Sequence, residues 1–296
     1  MIESKPFGHL FRLIAMSLLI SAAPTGLSHA SPPDIGLMEA SKLKEGIGHW
    51  TVLDARPVAD WRGERIPGAL PFTWEDYIQA RGTGNSYQWP TPQRLASALG
   101  TLGLTESTPV LVYGDLNRSW GGEGWVVWVL SWLGHKGPIR LLDGGIQAWK
   151  RQGLPVVSGG ERGHPEPRTY TLNIRHELNA RADELGDRGR PWVVIDTRST
   201  LEWLTGRLPN AIHIPWTEFF TGRDRRPLNG TDLSRLLRGH GVDPRTPLVF
   251  YCAAGVRSAY VWTVLALAGS PTARNYSGGM SDWMEFTRRI PLGRGA

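Results

Sequence analysis

The chain has a single cysteine, Cys252, among its 296 residues, so it cannot form a disulfide within itself. One cysteine and eight scattered histidines supply no ligand spacing typical of a metal site, and we expect none. A phosphate-binding loop signature and a dinucleotide-binding fingerprint are also missing after every predicted strand. We therefore expect a protein that needs no cofactor.

Apolar runs long enough to cross a membrane are missing from the sequence after residue 30. Before that point, basic residues precede an apolar run from Leu13 to Ala23, and Ser28 and Ala30 occupy the two positions that signal peptidase inspects. This predicts a signal peptide over residues 1–30, cut after Ala30, and a mature protein that is periplasmic or secreted and not membrane-bound. An uncleaved anchor is the alternative.

Clusters of one charge sign are missing as well. The formal net charge is +6, but the basic residues are scattered along the chain with acidic residues among them. Proteins that bind nucleic acids gather their cations on one face, so we expect no nucleic-acid partner. A diffuse positive field can still attract small anions.

The sequence repeats itself once. Val52-Leu53-Asp54-Ala55-Arg56 matches Val194-Ile195-Asp196-Thr197-Arg198, and Arg65 to Ala69 matches Arg207 to Ala211 at the same offset. A match of this length at constant spacing indicates two halves built on one plan.

Short apolar strands alternate with helical segments in each half. In the first half the pattern predicts strands at Val52 to Asp54, Val110 to Tyr113 and Ile139 to Leu142, and helices at Gln93 to Leu99 and Gly122 to Leu133. The fold class is then α/β, with two tandem domains that each have a parallel sheet and helices on both faces. We place the domains at residues 31–155 and 168–296, joined by a linker at 156–167.

Cys252 comes directly after the predicted strand Leu248 to Tyr251 and before an apolar helix. At such a junction, free backbone N–H groups and the positive end of the helix dipole stabilise an anion. The thiolate should then be available near neutral pH without a dedicated base. Gly255 can turn successive N–H groups inward, and Ala253 and Ala254 leave the entrance open. A nucleophile is favoured over a buried structural cysteine.

Four neighbours of this loop are assigned separately. Arg257 is expected to bind an anionic substrate or to brace the loop. Ser258 is expected to be a helix cap first and a ligand second. Asp196 is interpreted as a structural acceptor of backbone N–H groups, and Glu202 as the partner of a nearby arginine rather than a catalytic acid.

The Asp-x-Arg strand end, the loop from Cys252 to Arg257 and the closing Gly278-Gly279 with Trp283 together resemble the rhodanese family in its tandem form. The resemblance covers nearly all of the chain after residue 30. It implies a sulfurtransferase in which Cys252 takes a sulfane sulfur from a small anionic donor and holds it as a persulfide. The sulfur then passes to a nucleophilic acceptor such as cyanide or a thiol.

The resemblance also implies roles for other residues. Arg257 and Arg198 would attract the anionic donor, and we expect the enzyme to be a monomer. The sulfur would be cradled by the amides of the loop and of the first helical turn, at Ala253, Ala254, Gly255, Val256, Arg257 and Ser258.

The donor stays open between several sulfur compounds. Family members with Arg-Lys after the cysteine favour thiosulfate and those with Gly-Ser favour 3-mercaptopyruvate, but Ala253-Ala254 matches neither pair. We prefer thiosulfate because Arg257 and Arg198 could neutralise a doubly charged anion. 3-Mercaptopyruvate, polysulfide and a protein persulfide are the alternatives.

The first half is expected to be catalytically silent. Asp115 is placed at the position of Cys252, and a carboxylate cannot hold sulfane sulfur. This half would wall the cleft, with Trp125, Trp128 and Trp132 as packing residues.

Two other functions compete with this interpretation. Phosphatases or arsenate reductases of related architecture use a Cys-x5-Arg loop, whereas this chain has Cys-x4-Arg, which makes a tighter loop. An exported sulfur carrier without enzymatic turnover is the second alternative.

Overall fold

The computed structural model describes Met1 and residues 32–81, 86–159, 165–186, 189, 191–270 and 272–289. The predicted signal peptide, apart from Met1, and residues 160–164 of the predicted linker lie outside the described residues. No helix in the described ranges is long and apolar enough to cross a bilayer.

The regular elements follow the alternation that the sequence predicts. In the first half they are β1 (Ile35–Met38), α1 (Ala40–Gly46), β2 (Thr51–Asp54), α2 (Val58–Gly63), β3 (Leu70–Pro71), β4 (Gln79–Ala80), β5 (Tyr87–Gln88), α3 (Pro92–Thr101), β6 (Val110–Tyr113), α4 (Gly122–Trp132), β7 (Ile139–Leu142) and α5 (Gly145–Arg151). Those predicted from the sequence are all present, with ends within two residues of the prediction.

The second half repeats the order that the first half shows from α1 onward, and β1 has no counterpart strand among the described residues. Its elements are α6 (Ala182–Gly186), β8 (Val193–Asp196), α7 (Thr200–Leu204), β9 (Ile212–His213), β10 (Phe220–Thr221), β11 (Arg226–Pro227), α8 (Gly230–Gly239), β12 (Leu248–Tyr251), α9 (Val256–Leu267), β13 (Ala273–Tyr276) and α10 (Gly279–Arg289). Single turns of 3₁₀ helix lie at Ile47–His49, Trp74–Asp76, His176–Leu178 and Trp216–Phe219.

Each half has its own parallel sheet. The strand order is β1-β7-β6-β2-β3 in the first and β13-β12-β8-β9 in the second. The register pairs Asp54 with Tyr113 in the first sheet and Asp196 with Tyr251 in the second. The carboxyl ends of equivalent strands therefore carry equivalent residues, and the predicted α/β fold with two tandem domains is confirmed.

The strands alternate their side chains between two apolar layers, as a sheet covered on both faces requires. In β12, Leu248 and Phe250 face a core shared with the first half, while Val249 and Tyr251 face a smaller core against α6 and α10. The first sheet is arranged in the same way, with α1 and α5 on its outer face.

Helices α4 and α9 form the contact between the halves inside the shared core. α4 is buried along its whole length, which explains why its sequence is apolar on all sides. Gly124 lets the helices approach closely: a Cβ atom there would lie 2.3 Å from Tyr260 Cα. Thr263 Oγ1 also donates to the Gly124 carbonyl at 3.0 Å.

The three tryptophans of the first half are packing residues, as predicted. Trp125 and Trp128 are fully buried, and Trp132 is 9% exposed. The rings of Trp128 and Trp132 stack with their centroids 5.3 Å apart.

The segment that follows the predicted linker packs on the first half. Residues 168–175 run along the first half, where Asn173 N–H donates to the Leu133 carbonyl at 3.0 Å and Arg175 N–H to the Trp132 carbonyl at 2.8 Å. The segment carries extended backbone whose polar groups are satisfied there. The predicted domain boundaries, 31–155 and 168–296, stay a prediction.

Two short hairpins cross between the halves in opposite directions. β4 and β5 of the first half reach the second, where Tyr87 N–H donates to Ser281 Oγ at 2.8 Å. β10 and β11 of the second half reach the first, where Arg226 forms an ion pair with Asp143. Each hairpin is a separate two-stranded sheet. Each one contacts the other half near the carboxyl ends of that half's parallel strands.

We expect Gly124→Ala to destabilise the protein, because the added methyl group meets helix backbone that cannot move independently. Overpacking of this kind lowers the free energy of unfolding by about 2 kcal/mol. Thermal denaturation followed by circular dichroism measures the loss. Gly63→Ala is the control because a Cβ atom at Gly63 meets nothing within 4 Å. Equal melting temperatures for the two variants would contradict the close helix contact.

Candidate active site

Asp196 holds together the strand ends beneath Cys252. It accepts hydrogen bonds from the Tyr251 hydroxyl at 2.5 Å and from the Arg198 backbone N–H at 3.0 Å. The same hydroxyl accepts from Leu208 N–H at 3.1 Å. Tyr113 and Asp54 form the same pair in the first half. The structural role predicted for Asp196 therefore agrees with its contacts.

Arg198 is turned toward this scaffold. Its Nε and Nη2 atoms donate to the Asp196 carboxylate, and Nη2 also donates to the Gly206 carbonyl at 2.5 Å. Burial would lower the pKa of Arg198, but the hydrogen bond and the charge of Asp196 outweigh it and raise the pKa. Arg198 is 4% exposed, and the hydrogen bonds above use its Nε and Nη2 atoms. The prediction that Arg198 contacts the sulfur donor therefore depends on its third guanidinium nitrogen, Nη1.

Cys252 begins a loop whose carbonyl groups are all held from outside. The four bonds are Met280 N–H to the Cys252 carbonyl at 2.8 Å, Ser281 N–H to Ala253 at 3.2 Å, Trp89 Nε1–H to Ala254 at 3.0 Å and Asn275 Nδ2–H to Gly255 at 3.2 Å. In a trans peptide the next N–H points opposite to the carbonyl, so the amides of residues 253–256 point away from these partners. No acceptor for amides 253–258 is found in the described residues, which leaves them free for an anion.

Gly255 is the N-cap residue of helix α9, directly before its first residue, Val256. It has φ +79°, and a Cβ atom there would lie 2.3 Å from the Ser277 carbonyl oxygen, so only glycine fits. This corrects the role of Ser258: the helix begins at Val256 with Gly255 as its cap, and Ser258 lies within the first turn. Its hydroxyl instead points to Cys252 Sγ at 3.6 Å, as a donor.

Arg257 lies between Glu202 and the cysteine. Its two terminal nitrogens donate to the two Glu202 carboxylate oxygens, each at 2.7 Å. Burial would lower the pKa of Arg257, but the Glu202 hydrogen bond and the attraction of the Cys252 thiolate raise it instead. Burial would raise the pKa of Glu202, but the bonds to Arg257 and Ser199 bring it down to about 2. Glu202 is therefore ionised at neutral pH and is the arginine partner that the sequence predicts.

Cys252 itself is 1% exposed. Ala253 and Arg257 are partly exposed, while Ala254 is buried. The polar neighbours Arg257 and Ser258 distinguish this position from an apolar interior.

A cleft is lined by residues of both halves, and Cys252 and residues 253–258 are not among them. The first half contributes Arg81, Tyr87, Gln88 and Trp89, and the second half contributes Asn179, Ser277 and Gly278 among others. Sequence reasoning missed Trp89 and Asn275, whose donor atoms hold the loop. Neither belongs to the repeated motif, so no spacing signal could have found them.

The strand registers change one position in the alignment of the two halves. Strand register makes Tyr113 equivalent to Tyr251, so Gly114, not Asp115, occupies the position of Cys252. The Gly114 carbonyl accepts from Ile146 N–H at 3.0 Å, as the Cys252 carbonyl accepts from Met280. Since glycine has no side chain, position 114 carries no nucleophile, and the catalytic silence of the first half stays a prediction.

Glu123 fills the space that a side chain at position 114 would need. A Cβ atom on Gly114 would lie 2.4 Å from Glu123 Oε2. Burial raises the pKa of Glu123 to about 7, and the Ser119 hydroxyl donates to its carboxyl group at 2.6 Å. The silent loop therefore has a carboxyl group in place of a thiol.

Comparison with known proteins gives a consistent result. The rhodanese-like domain family matches residues 39–152 and 176–286. A Pseudomonas aeruginosa protein named as a probable 3-mercaptopyruvate sulfurtransferase is 31% identical over 77% of this chain and 84% of its own. The rat thiosulfate sulfurtransferase is 25% identical over 78% of this chain and 80% of its own. The crystal structure of SseA from Escherichia coli, a 3-mercaptopyruvate enzyme, aligns with a TM-score of 0.71, 24% identity and coverage of 83% of this chain and 98% of that one.

We expect Arg257→Ala to slow turnover at least about tenfold, because the cation beside the thiolate is lost while the Glu202 charge stays. Steady-state sulfur transfer to cyanide measures the change. The double variant Arg257→Ala with Glu202→Gln removes the pair together and shows how much of the loss comes from the stranded carboxylate. Rates within about twofold of wild type would show that Arg257 only holds the loop in place and does not act on the sulfur.

Gly114→Cys in a Cys252→Ser background should not acquire sulfur, because the new side chain meets the Glu123 carboxyl group. Mass spectrometry after incubation with a sulfur donor checks this, with the wild-type chain as the positive control. A persulfide at position 114 would show that the silent loop is still competent.

Proposed function

The chain belongs to the rhodanese family, and from that premise we propose that it is an enzyme that moves sulfane sulfur from a small anionic donor, through a persulfide on Cys252, to a nucleophilic acceptor. The observation that carries this proposal is the loop after β12, where a cysteine precedes free amides at the head of a buried helix. The relatives that match most of the chain are named as sulfurtransferases.

The reaction has two steps that each conserve the electron pair. The Cys252 thiolate attacks the outer sulfur of thiosulfate or the thiol sulfur of 3-mercaptopyruvate. The S–S bond of thiosulfate breaks to release sulfite, or the C–S bond of 3-mercaptopyruvate breaks to release the enolate of pyruvate, which then takes a proton. The acceptor, cyanide or a thiolate, next attacks the outer sulfur of the persulfide, and the Cys252 thiolate is regenerated. The free amides and Arg257 stabilise the sulfur anion in both steps.

For the donor we favour 3-mercaptopyruvate over thiosulfate. The preference for thiosulfate rested on Arg257 and Arg198 as free cations, but each is paired with a carboxylate, Glu202 and Asp196 respectively. A nearly neutral pair attracts a doubly charged anion less than two free guanidinium groups would. The single carboxylate of 3-mercaptopyruvate suits this weaker positive field.

The two competing functions find less support in the contacts of the loop. A phosphate group would need the guanidinium of Arg257, which is already bidentate to Glu202. A pure sulfur carrier would load Cys252 once and would not turn over with small acceptors, which is an outcome that kinetics can detect.

We also propose that the protein is exported. The basic and apolar pattern of residues 1–30 supports this, although those residues, apart from Met1, lie outside the described part of the chain.

The central test measures sulfur transfer to cyanide by the wild type and by Cys252→Ser, with thiosulfate and with 3-mercaptopyruvate. We expect kcat/KM for 3-mercaptopyruvate to exceed that for thiosulfate by at least about tenfold, and the Ser variant to be inactive with both.

Each other outcome has its own meaning. Activity in the Ser variant would overturn the persulfide mechanism. The reverse order of donors would overturn only the donor assignment. A persulfide that forms on Cys252 without repeated turnover would favour the carrier.

A further inference from the structure

Trp89 is the contact through which the silent half reaches the cysteine loop directly. Its indole Nε1–H donates to the Ala254 carbonyl at 3.0 Å. The other three loop carbonyls are held by donors of the second half, Met280, Ser281 and Asn275. The orientation of the peptide between Ala254 and Gly255 is therefore set from across the boundary between the halves.

The indole is itself held in place by the core of the first half. The Trp89 ring lies edge-on to Trp128 with centroids 5.8 Å apart, and tilted against Trp125 at 6.2 Å. Both of these partners are fully buried. Two residues before Trp89, in strand β5, Tyr87 N–H donates to Ser281 Oγ, which ties the segment that leads to the indole to the second half.

The peptide that Trp89 holds is one that could otherwise rotate. A flip of the peptide between Ala254 and Gly255 changes ψ of Ala254 and φ of Gly255, and glycine accepts φ of either sign. A flip would turn the Gly255 N–H away from the concave side of the loop and put the Ala254 carbonyl oxygen there. That oxygen carries partial negative charge and would repel a sulfur anion.

We propose that Trp89 is a positioning residue for the sulfur site, acting through the Ala254 carbonyl to keep the Gly255 amide available to the sulfur of Cys252. This inference rests on the proposed function. It gives the silent half a specific part in the chemistry, beyond walling the cleft, and it does not require Trp89 to touch the donor.

The test compares Trp89→Phe with Trp74→Phe in the full chain. Trp89→Phe keeps an aromatic ring against Trp125 and Trp128 but removes the N–H donor together with part of the ring volume, a loss of volume that Trp74→Phe shares. Trp74 is the matched control because its indole donates to the Ser119 carbonyl at 3.0 Å, in the loop of the silent half. The charged pair beside Cys252, Arg257 with Glu202, is unchanged in both variants.

The first readout is the rate of Cys252 alkylation by iodoacetamide as a function of pH, which needs no sulfur donor. For Trp89→Phe we expect a slower rate near neutral pH, by about fivefold to tenfold, and a profile displaced toward higher pH. With the donor, kcat should fall while KM changes little. Trp74→Phe should match the wild type in both measurements.

Two outcomes would overturn the proposal. One is an alkylation profile of Trp89→Phe that coincides with the wild type. The other is an equal displacement in both variants with equal losses of melting temperature, which would indicate general destabilisation. Because alkylation is measured without a donor, either result is distinguishable from a failure of the sulfurtransferase function, which Cys252→Ser tests.

Discussion

The site depends on where the carbonyl oxygens of one short loop are held. Each carbonyl from Cys252 to Gly255 accepts a hydrogen bond from outside the loop, and trans peptide geometry then turns the following amides the other way. Those amides have no acceptor among the described residues, and a set of convergent N–H groups stabilises an anion without any cationic side chain nearby. The helix that begins at Val256 adds the positive end of its dipole to the same place.

The free amides also bear on how the two arginines of the site, Arg257 and Arg198, are interpreted. Arg257 and Arg198 would suggest a strongly positive pocket, yet each is bound to a carboxylate of its own half. Arg198 joins Asp196 at the end of β8 to the Gly206 carbonyl, and Arg257 with Glu202 connects helix α9 to helix α7. Arg257 still lies close enough to Cys252 for the cysteine to contribute, after the Glu202 hydrogen bond, to the raised pKa of Arg257.

The two halves share the structure below the loop after the central strand and differ in the loop itself. The anchor below the site is the same in both, since Tyr113 with Asp54 repeats Tyr251 with Asp196. The difference lies above it, where Gly114 replaces the cysteine and the Glu123 carboxyl group fills the space beside it. The silent half nevertheless supplies a buried helix, a crossing hairpin and the indole of Trp89 to the other half's site.

The sequence by itself determined the repeat, the parallel sheets and the position of Cys252 between a strand and a helix, because these depend on residues close together in the chain and on the alternation of apolar segments. It misplaced the equivalent of Cys252 by one residue and assigned Ser258 as the cap, because strand register and helix start are set by hydrogen bonds that sequence matching does not see. Only the tertiary structure decided that Arg257 is paired with Glu202 and that Trp89 holds the Ala254 carbonyl. Those contacts join residues 55 and 165 positions apart, and they exist only after the sheets and the two central helices have packed.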